Sequence, residues 1–408
     1  MFRLLIRILQ VFVFFFAHQA VVFAEQSGHF LTGMVPEGRS ALQLETRYGK
    51  TDAFIDKDGN KVSFMRDLDG LNIDPQVLPL LGLFGPAASL GTLEMSSDIS
   101  GYKYELTYGY GVTENLSVGF ILPYGSITHH INAKSVNANL AINPVFDPST
   151  AISPINSPFI PHVPGVTQQA DFEAIQFIVT SPDFGFEYER IQTVTTEGVL
   201  DPTVGLRWHI PLTEHWSAVL APGVRIGHAD KNNPDDLFDV QWADGSTDIL
   251  LGVDVVGWIA DNWAMRTRLK YTWQTPDTIE ARAYSVDQAL VPKSNLEVLD
   301  RDLGDRLESL IELDYIRASW LWGARLEHSN KQQDNYSSPR GQDVSGLEEE
   351  TDNFETSFVL RVQWSGINAW RNQKLPIPVI LTARIQTTID GENVVDSDNL
   401  FLTITTIF

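Results

Sequence analysis

Hydrophobic and polar side chains alternate along most of the chain, in short segments separated by polar linkers. Because successive side chains of a β-strand point to opposite faces, this alternation predicts strands. At 199–210, Leu206 and Trp208 share one face and Arg207 and His209 the other. We count twelve such segments, near 41–49, 98–110, 116–128, 199–210, 216–227, 248–255, 263–273, 306–315, 320–327, 354–364, 379–388 and 400–408.

The linkers between the segments fall into two length classes that alternate along the chain. Short turns such as VTEN, LTEH and ADN each lead into Leu or Trp. The long linkers are 50–97, 129–198, 228–246, 274–305 and 329–353, while 365–378 is a longer turn on the short side and 389–398 a shorter loop on the long side. Outer-membrane barrels have short periplasmic turns, longer extracellular loops and an even number of strands.

The length of the segments and the composition of their two faces also favour a membrane barrel. Segments of ~9–11 residues match a tilted transmembrane strand, and Tyr and Trp gather at segment ends, as they do at membrane interfaces. A soluble β-sandwich is the alternative, in which the charged face would be the solvated outer surface. We therefore predict an all-β fold, a transmembrane antiparallel β-barrel of about 12 strands, extending over 25–408.

The first 24 residues read as a signal peptide. Arg3 and Arg7 precede the apolar stretch VFVFFFAHQAVVFA, and Ala24 is a small residue at the cleavage point. An N-terminal membrane anchor is the alternative, although His18 and Gln19 interrupt the apolar run. Export, barrel patterning and a chain without cysteine predict a location in the bacterial outer membrane.

The composition is strongly acidic, with 52 Asp and Glu against 29 Lys and Arg and a net charge of -23. Nucleic acid is excluded as a partner, because phosphate binding needs a basic surface. The polar face of the strands nevertheless carries both signs of charge. We predict that a set of these residues lines the lumen and the substrate path, namely Arg207, Arg225, Arg266, Arg268, Arg325, Arg361, Asp248, Asp254, Glu308 and Glu312. Ion pairing that braces a closed barrel is their alternative role.

Three stretches resemble a known family: YGVTENLSVGFILPY (110–124), GVLDPTVGLRW (198–208) and GSTDILLGV (245–253). The chain is similar there to outer-membrane proteins associated with the MetA pathway of phenol degradation, which are distantly similar to fatty acid and toluene transporters. The resemblance implies a channel for small, often aromatic or hydrophobic molecules. The family's Gly-x-Gly-Asp segment is altered, because Leu200 precedes Asp201, and the chain before the first strand is short for a hatch of the transporter kind.

Two long linkers, 50–97 and 129–198, are unusual for exposed loops. The first contains the apolar stretch 71–93 and the second the Pro-rich stretch 143–165. Such loops either fold inward as a plug, bind an apolar ligand, pack on lipopolysaccharide, or pack on each other as a lid.

Candidate chemistry is sparse. Asp56, Asp58 and Asn60 have the spacing of calcium ligands, but Lys61 replaces the required glycine, and an Asp-Gly hairpin turn is the favoured interpretation. His228 and His328 come without a nucleophile motif, so we expect no catalytic residues, no cofactor and no enzyme activity, a lipid-modifying barrel being the less favoured alternative.

The sequence thus predicts an outer-membrane channel or transporter for small hydrophobic or aromatic molecules. A structural or surface-interaction barrel is the alternative. The predicted partners are outer-membrane lipid, lipopolysaccharide, a small hydrophobic substrate, and the barrel insertion machinery through the terminal Phe408. In the last segment, Leu400, Leu402, Ile404, Thr406 and Phe408 are predicted to face lipid.

Overall fold

The computed structural model describes residues 32–240, 242–286, 288 and 290–408. The proposed signal peptide, 1–24, lies outside the described residues. In chain order the strands are β1 (Ser40–Ile55), β2 (Lys61–Val62), β3 (Thr92–Thr113), β4 (Leu116–Val136), β5 (Leu140–Ile142), β6 (Phe159–Pro161), β7 (Val194–Val199), β8 (Thr203–Pro211), β9 (Trp216–Arg225), β10 (Asp248–Ala260), β11 (Trp263–Gln274), β12 (Asp277–Arg282), β13 (Leu296–Asp302), β14 (Arg306–Arg317), β15 (Trp320–Lys331), β16 (Asn335–Ser337), β17 (Asn353–Ser365), β18 (Val379–Glu392) and β19 (Val394–Ile407). The α-helices are α1 (Phe172–Thr180), α2 (Ser345–Glu348) and α3 (Ile367–Arg371), and 3-10 turns lie at Pro79–Phe84, Pro182–Phe184 and Lys293–Asn295.

Twelve strands form a closed antiparallel barrel, which confirms the predicted fold: β1, β3, β4, β8 to β11, β14, β15 and β17 to β19. The last strand pairs with the first from Ala41 opposite Ile407 to Ile55 opposite Val394. Reciprocal backbone hydrogen bonds of 2.8 and 2.9 Å between Ser40 and Phe408 complete this seam. Closure leaves no strand edge unpaired, as a membrane-spanning sheet requires. Among the described helices, none has the length and apolar character needed to cross a bilayer.

The outward face of the barrel is apolar. Side chains such as Leu44, Phe120, Leu251 and Leu402 are exposed there, although in water this exposure would be unfavourable. Both chain termini of the barrel and its short turns lie at one end, which we call the short-turn end. The opposite end, where the long linkers emerge, is the long-loop end.

Several strand boundaries differ from the sequence prediction. Strands β3 and β4 run well past their predicted limits. The pairing of β18 with β19 ends at Thr387 opposite Asp398, which agrees with a predicted loop at 389–398, but beyond that point β18 continues along β17 and β19 continues along β1. The predicted fourth segment is interrupted at Leu200–Pro202, so that β7 and β8 both pair with β4. Alternation locates the lipid-exposed part of a strand. The extended ends of β3 and β4 lie beyond that part and pack on loops.

The two apolar linkers pack on each other over the long-loop end, as the lid interpretation predicts. Residues of the first linker, among them Met65, Leu81 and Leu90, form one buried core with Phe159 and Ile178 of the second. Helix α1 contributes its apolar face to this core, and its N-terminus is capped by the carboxylate of Asp171. We call this assembly the lid. A second small sheet of β12, β13 and β16 stands beside it.

Candidate functional site

A cavity of about 1060 Å³ lies inside the barrel. It occupies the short-turn half, because on β1 its lining includes Ala41, Gln43 and Glu45 but not Arg47, the next inward residue. Its volume is in the range of small-molecule sites. A cavity at this position is the principal candidate site of the molecule.

One wall of the cavity includes a row of positions without side chains. Five inward glycines on consecutive strands of the barrel form it, and we call them the glycine row: Gly109, Gly119, Gly205, Gly223 and Gly252. Gly109 pairs with Gly119, Gly119 with Gly205, and Gly205 with Gly223, while Gly252 lies opposite Ala221. Because these residues are cross-strand neighbours, the cavity is bounded there by backbone and not by side chains. The row also lets backbones approach closely, since a Cβ would meet strand backbone at 2.6 Å at Gly119 and at 3.0 Å at Gly205 and Gly223.

The facing wall is built from ion pairs. Glu312 is fully buried and lies 3.2 Å from both Arg325 and Arg361 and 4.0 Å from Arg266. Arg361 also binds Asp314 through two contacts of 2.7 and 2.8 Å. Buried charges need opposite charges and hydrogen bonds to offset the loss of water, and these residues provide them to one another.

Further pairs flank this wall, some of them on the strands of the glycine row, because Arg207 follows Gly205 on β8 and Asp254 follows Gly252 on β10. Asp254 accepts hydrogen bonds from Arg207 at 2.9 Å and Arg268 at 2.5 Å. Arg384 lies 2.7 Å from Glu45 and its guanidinium stacks on Phe401, 4.5 Å from the ring centroid. Phe401, which the alternation leaves unexplained in the last segment, therefore faces inward as a cation–π partner.

The predicted lumen residues fall into three groups. Those that line the cavity are Arg207, Arg266, Arg268, Arg325, Arg361 and Asp254. Glu312 is held behind this surface against the arginines, whereas Glu308 is 37% exposed and pairs with Lys270 without lining the cavity. Arg225 and Asp248 form a separate ion pair nearer the long-loop end, where Asp248 is fully buried.

The segment before β1 enters the lumen at the short-turn end. Val35 donates its backbone N–H to the Ser117 hydroxyl at 3.1 Å, and Arg207 donates to the carbonyl of Thr32 at 2.9 Å. A side chain at Gly111 would collide with the backbone of Pro36. Sequence reasoning missed this segment, because nothing in its own residues signals a position inside the barrel.

A tryptophan from a loop narrows the lumen on the other side of the cavity. Trp242 lies against Gly101 and Gly125, where any side chain would collide with its indole. The guanidinium of Arg47 lies 5.2 Å from the ring centroid. The linker after β9 therefore places an aromatic plug in the lumen.

Two of the sequence motifs meet in space at the break between β7 and β8. The carboxylate of Asp201 accepts hydrogen bonds from the backbone of His228 and Ala229 at 2.7 and 2.8 Å and from Gly245 at 3.3 Å. Ser246, next in the chain, donates to Asp248 at 2.9 Å. These residues hold the linker 226–247 against the barrel, and so they position Trp242.

The calcium-ligand candidates and His328 take part in local hydrogen bonds. The carboxylate of Asp56 accepts the backbone N–H groups of Asp58 and Asn60 at 2.9 and 2.8 Å and closes the β1–β2 hairpin, as the Asp-Gly turn interpretation expects. No group of three His, Asp or Glu side chains suited to a metal occurs in the part of the chain that the structure describes. His328 contacts the Thr356 hydroxyl at 3.0 Å.

Comparison with known proteins identifies the fold. No family model and no curated protein matches the chain. Among solved structures, an outer membrane channel from Pseudomonas putida F1 matches with a TM-score of 0.54 and 12% identity, covering 95% of this chain and 100% of that one. A FadL homologue from Pseudomonas aeruginosa matches with a TM-score of 0.35, 12% identity and coverage of 91% and 90%. The Ralstonia pickettii toluene transporter TbuX matches with a TM-score of 0.37, 9% identity and coverage of 93% and 91%. The first of these similarities shows a shared fold, and the other two are too weak to carry an argument.

Proposed function

We propose that the protein is an outer-membrane channel that passes small hydrophobic or aromatic molecules. The observation that carries this proposal is the cavity of about 1060 Å³ inside a closed barrel whose outer face is apolar. A barrel with a purely structural role has no need of an unfilled interior, because side chains can fill a barrel of modest strand number. The glycine row lines that interior without adding side chains to it.

In this proposal the short-turn end faces the periplasm and the lid faces outward. A solute would pass the lid and Trp242, enter the cavity between the glycine row and the ion-paired wall, and leave beside Val35 and Pro36. The fold shared with the Pseudomonas putida channel and the resemblance of three sequence stretches to the MetA-associated family both support a transport role. The apolar glycine row gives an aromatic ring a flat surface to lie on.

Reconstitution in planar bilayers tests the proposal. We expect ion conductance from the purified full chain, and a concentration-dependent reduction of that current by phenol as it occupies the cavity. Trp242→Ala should raise the conductance because it removes the aromatic plug, while Trp322→Ala, which removes an indole from the outer face, should not. A protein that inserts but neither conducts nor passes phenol would refute the transport role.

One observation favours a second candidate, a structural or surface-interaction barrel. The lid covers the long-loop end with a packed apolar core and presents acidic linkers outward. Contact with lipopolysaccharide or a surface partner would then be the main role, and the cavity incidental. Absence of conductance in both the native chain and the Trp242 variant would favour this candidate.

A further inference from the structure

The cavity surface is cationic, although the protein as a whole is acidic with a net charge of -23. Eight basic side chains line it against three carboxylates, Glu45, Glu105 and Asp254. The side chains that line the cavity thus carry a net positive charge, whereas the chain as a whole carries a net negative charge. An acidic total therefore does not predict which ions or solutes the lumen favours.

The cause is the layering of the ion pairs. The carboxylate side chains of Glu312 and Asp314 are 0% and 3% exposed, whereas their arginine partners stand between them and the cavity. Glu308 is as exposed as its partner Lys270, but it does not line the cavity and so adds no carboxylate to this surface. Each pair is neutral as a whole, yet it presents N–H donors to the space where a solute would lie. Arginine donors in a fixed planar fork match the two oxygens of a carboxylate.

One lining cation is different because no carboxylate among the described residues pairs with it. Arg371 lies at the end of α3, in the turn between β17 and β18, and lines the cavity from the short-turn end. Within the described part of the chain, its charge is therefore not offset by an ion pair. Lys374, in the same turn, does not line the cavity.

We propose that the channel prefers anions, and that its solutes are small aromatic or apolar carboxylates that lay the ring on the glycine row and turn the carboxylate to the basic wall. This inference rests on the proposed channel function and narrows its substrate class. The two walls supply the two halves of the recognition. The glycine row accepts a flat apolar group without a steric clash, and the basic wall accepts the charge.

The test is the reversal potential of the reconstituted full chain in a KCl gradient, together with current block by three aromatic solutes of similar size. We expect a reversal potential of the anion-selective sign, and stronger block by benzoate than by benzyl alcohol or benzylamine. Arg371→Gln should lower the ratio of chloride to potassium permeability roughly two-fold, the effect of one charge near a water-filled path. Lys374→Gln, the matched control in the same turn, should leave the ratio unchanged.

The outcomes separate the two proposals. Conductance with cation selectivity, or equal block by the three solutes, would overturn the anion preference and leave the channel function intact. No conductance would overturn the channel function itself. Equal effects of the two turn substitutions would show that the cavity surface does not set the selectivity, and would also refute the inference. Because neither side chain takes part in a described ion pair, both variants keep the barrel's pairing network.

Discussion

Replacing Glu312 by Gln tests whether the ion-paired wall stabilises the barrel. The side chain is fully buried and serves Arg325 and Arg361 at 3.2 Å and Arg266 at 4.0 Å. Glutamine keeps the shape and removes the charge, so that buried positive charge is left without its central partner. Removing one member of a buried pair costs roughly 3–5 kcal/mol.

The structure places the expected cost at the lower end of that range. Arg325 retains Glu327 at 2.7 Å, and Arg361 retains Asp314 at 2.7 Å. We therefore expect Glu312→Gln to lower the free energy of unfolding by about 3 kcal/mol. Urea unfolding of the chain refolded into lipid vesicles, followed by tryptophan fluorescence, measures this quantity.

Glu308→Gln is the matched control on the same strand and face. Its carboxylate is 37% exposed and pairs with a similarly exposed Lys270, so we expect a loss of about 1 kcal/mol or less. Equal losses for the two variants, or a loss below about 1 kcal/mol for Glu312→Gln, would refute the view that the buried network stabilises the barrel.

Three further predictions concern the cavity, the seam and the lid. Gly252→Leu should reduce conductance without preventing folding, because a Cβ there meets its nearest neighbours at an ordinary 3.4 Å and the rest of the side chain enters the cavity; normal conductance would contradict the position of the glycine row. Deleting Phe408 should reduce membrane assembly more than strand content, because it removes the backbone hydrogen bonds that end the seam. Heat-modifiability on gels measures the assembly, and circular dichroism measures the strand content. Burial opposes ionisation of Asp235, but hydrogen bonds from Lys293 and Arg282 outweigh it and hold its pKa below the usual value. This stabilisation is present above the ordinary Asp pKa of about 4 and is lost as the pH falls through the lower folded value. Hydrogen exchange should rise in that window in the segments that Asp235 joins beside the lid, around Arg282 and Lys293, and Asp235→Asn should abolish the dependence.

Alternation predicted the barrel strands and most of their faces because these properties are local. Leu402 and Ile404 face outward, and Thr403 and Thr405 donate inward to Glu45 and Gln43, as the sequence predicts. A lipid-facing residue must be apolar whichever strands pair with its own strand. The sequence of each strand therefore indicates by itself which of its residues face outward.

The candidate site was predictable only in part. Six of the ten residues predicted for the lumen line the cavity, but Arg371 was missed because it lies in a turn where no alternation marks an inward face. The glycine row was also missed, because single glycines on separate strands signal little until their register is known. The role of Asp201 depends on Gly245, far along the chain.

By itself the sequence determined the kind of fold, because period-two patterning and the sorting of linkers by length favour a closed barrel in a membrane over a soluble sandwich. The tertiary structure decided what the barrel encloses. Strand register aligned Gly119 with Gly205, buried Glu312 behind its arginines, and brought Trp242 against Arg47. These outcomes depend on pairings between residues distant in sequence, and no local pattern of side chains records such pairings.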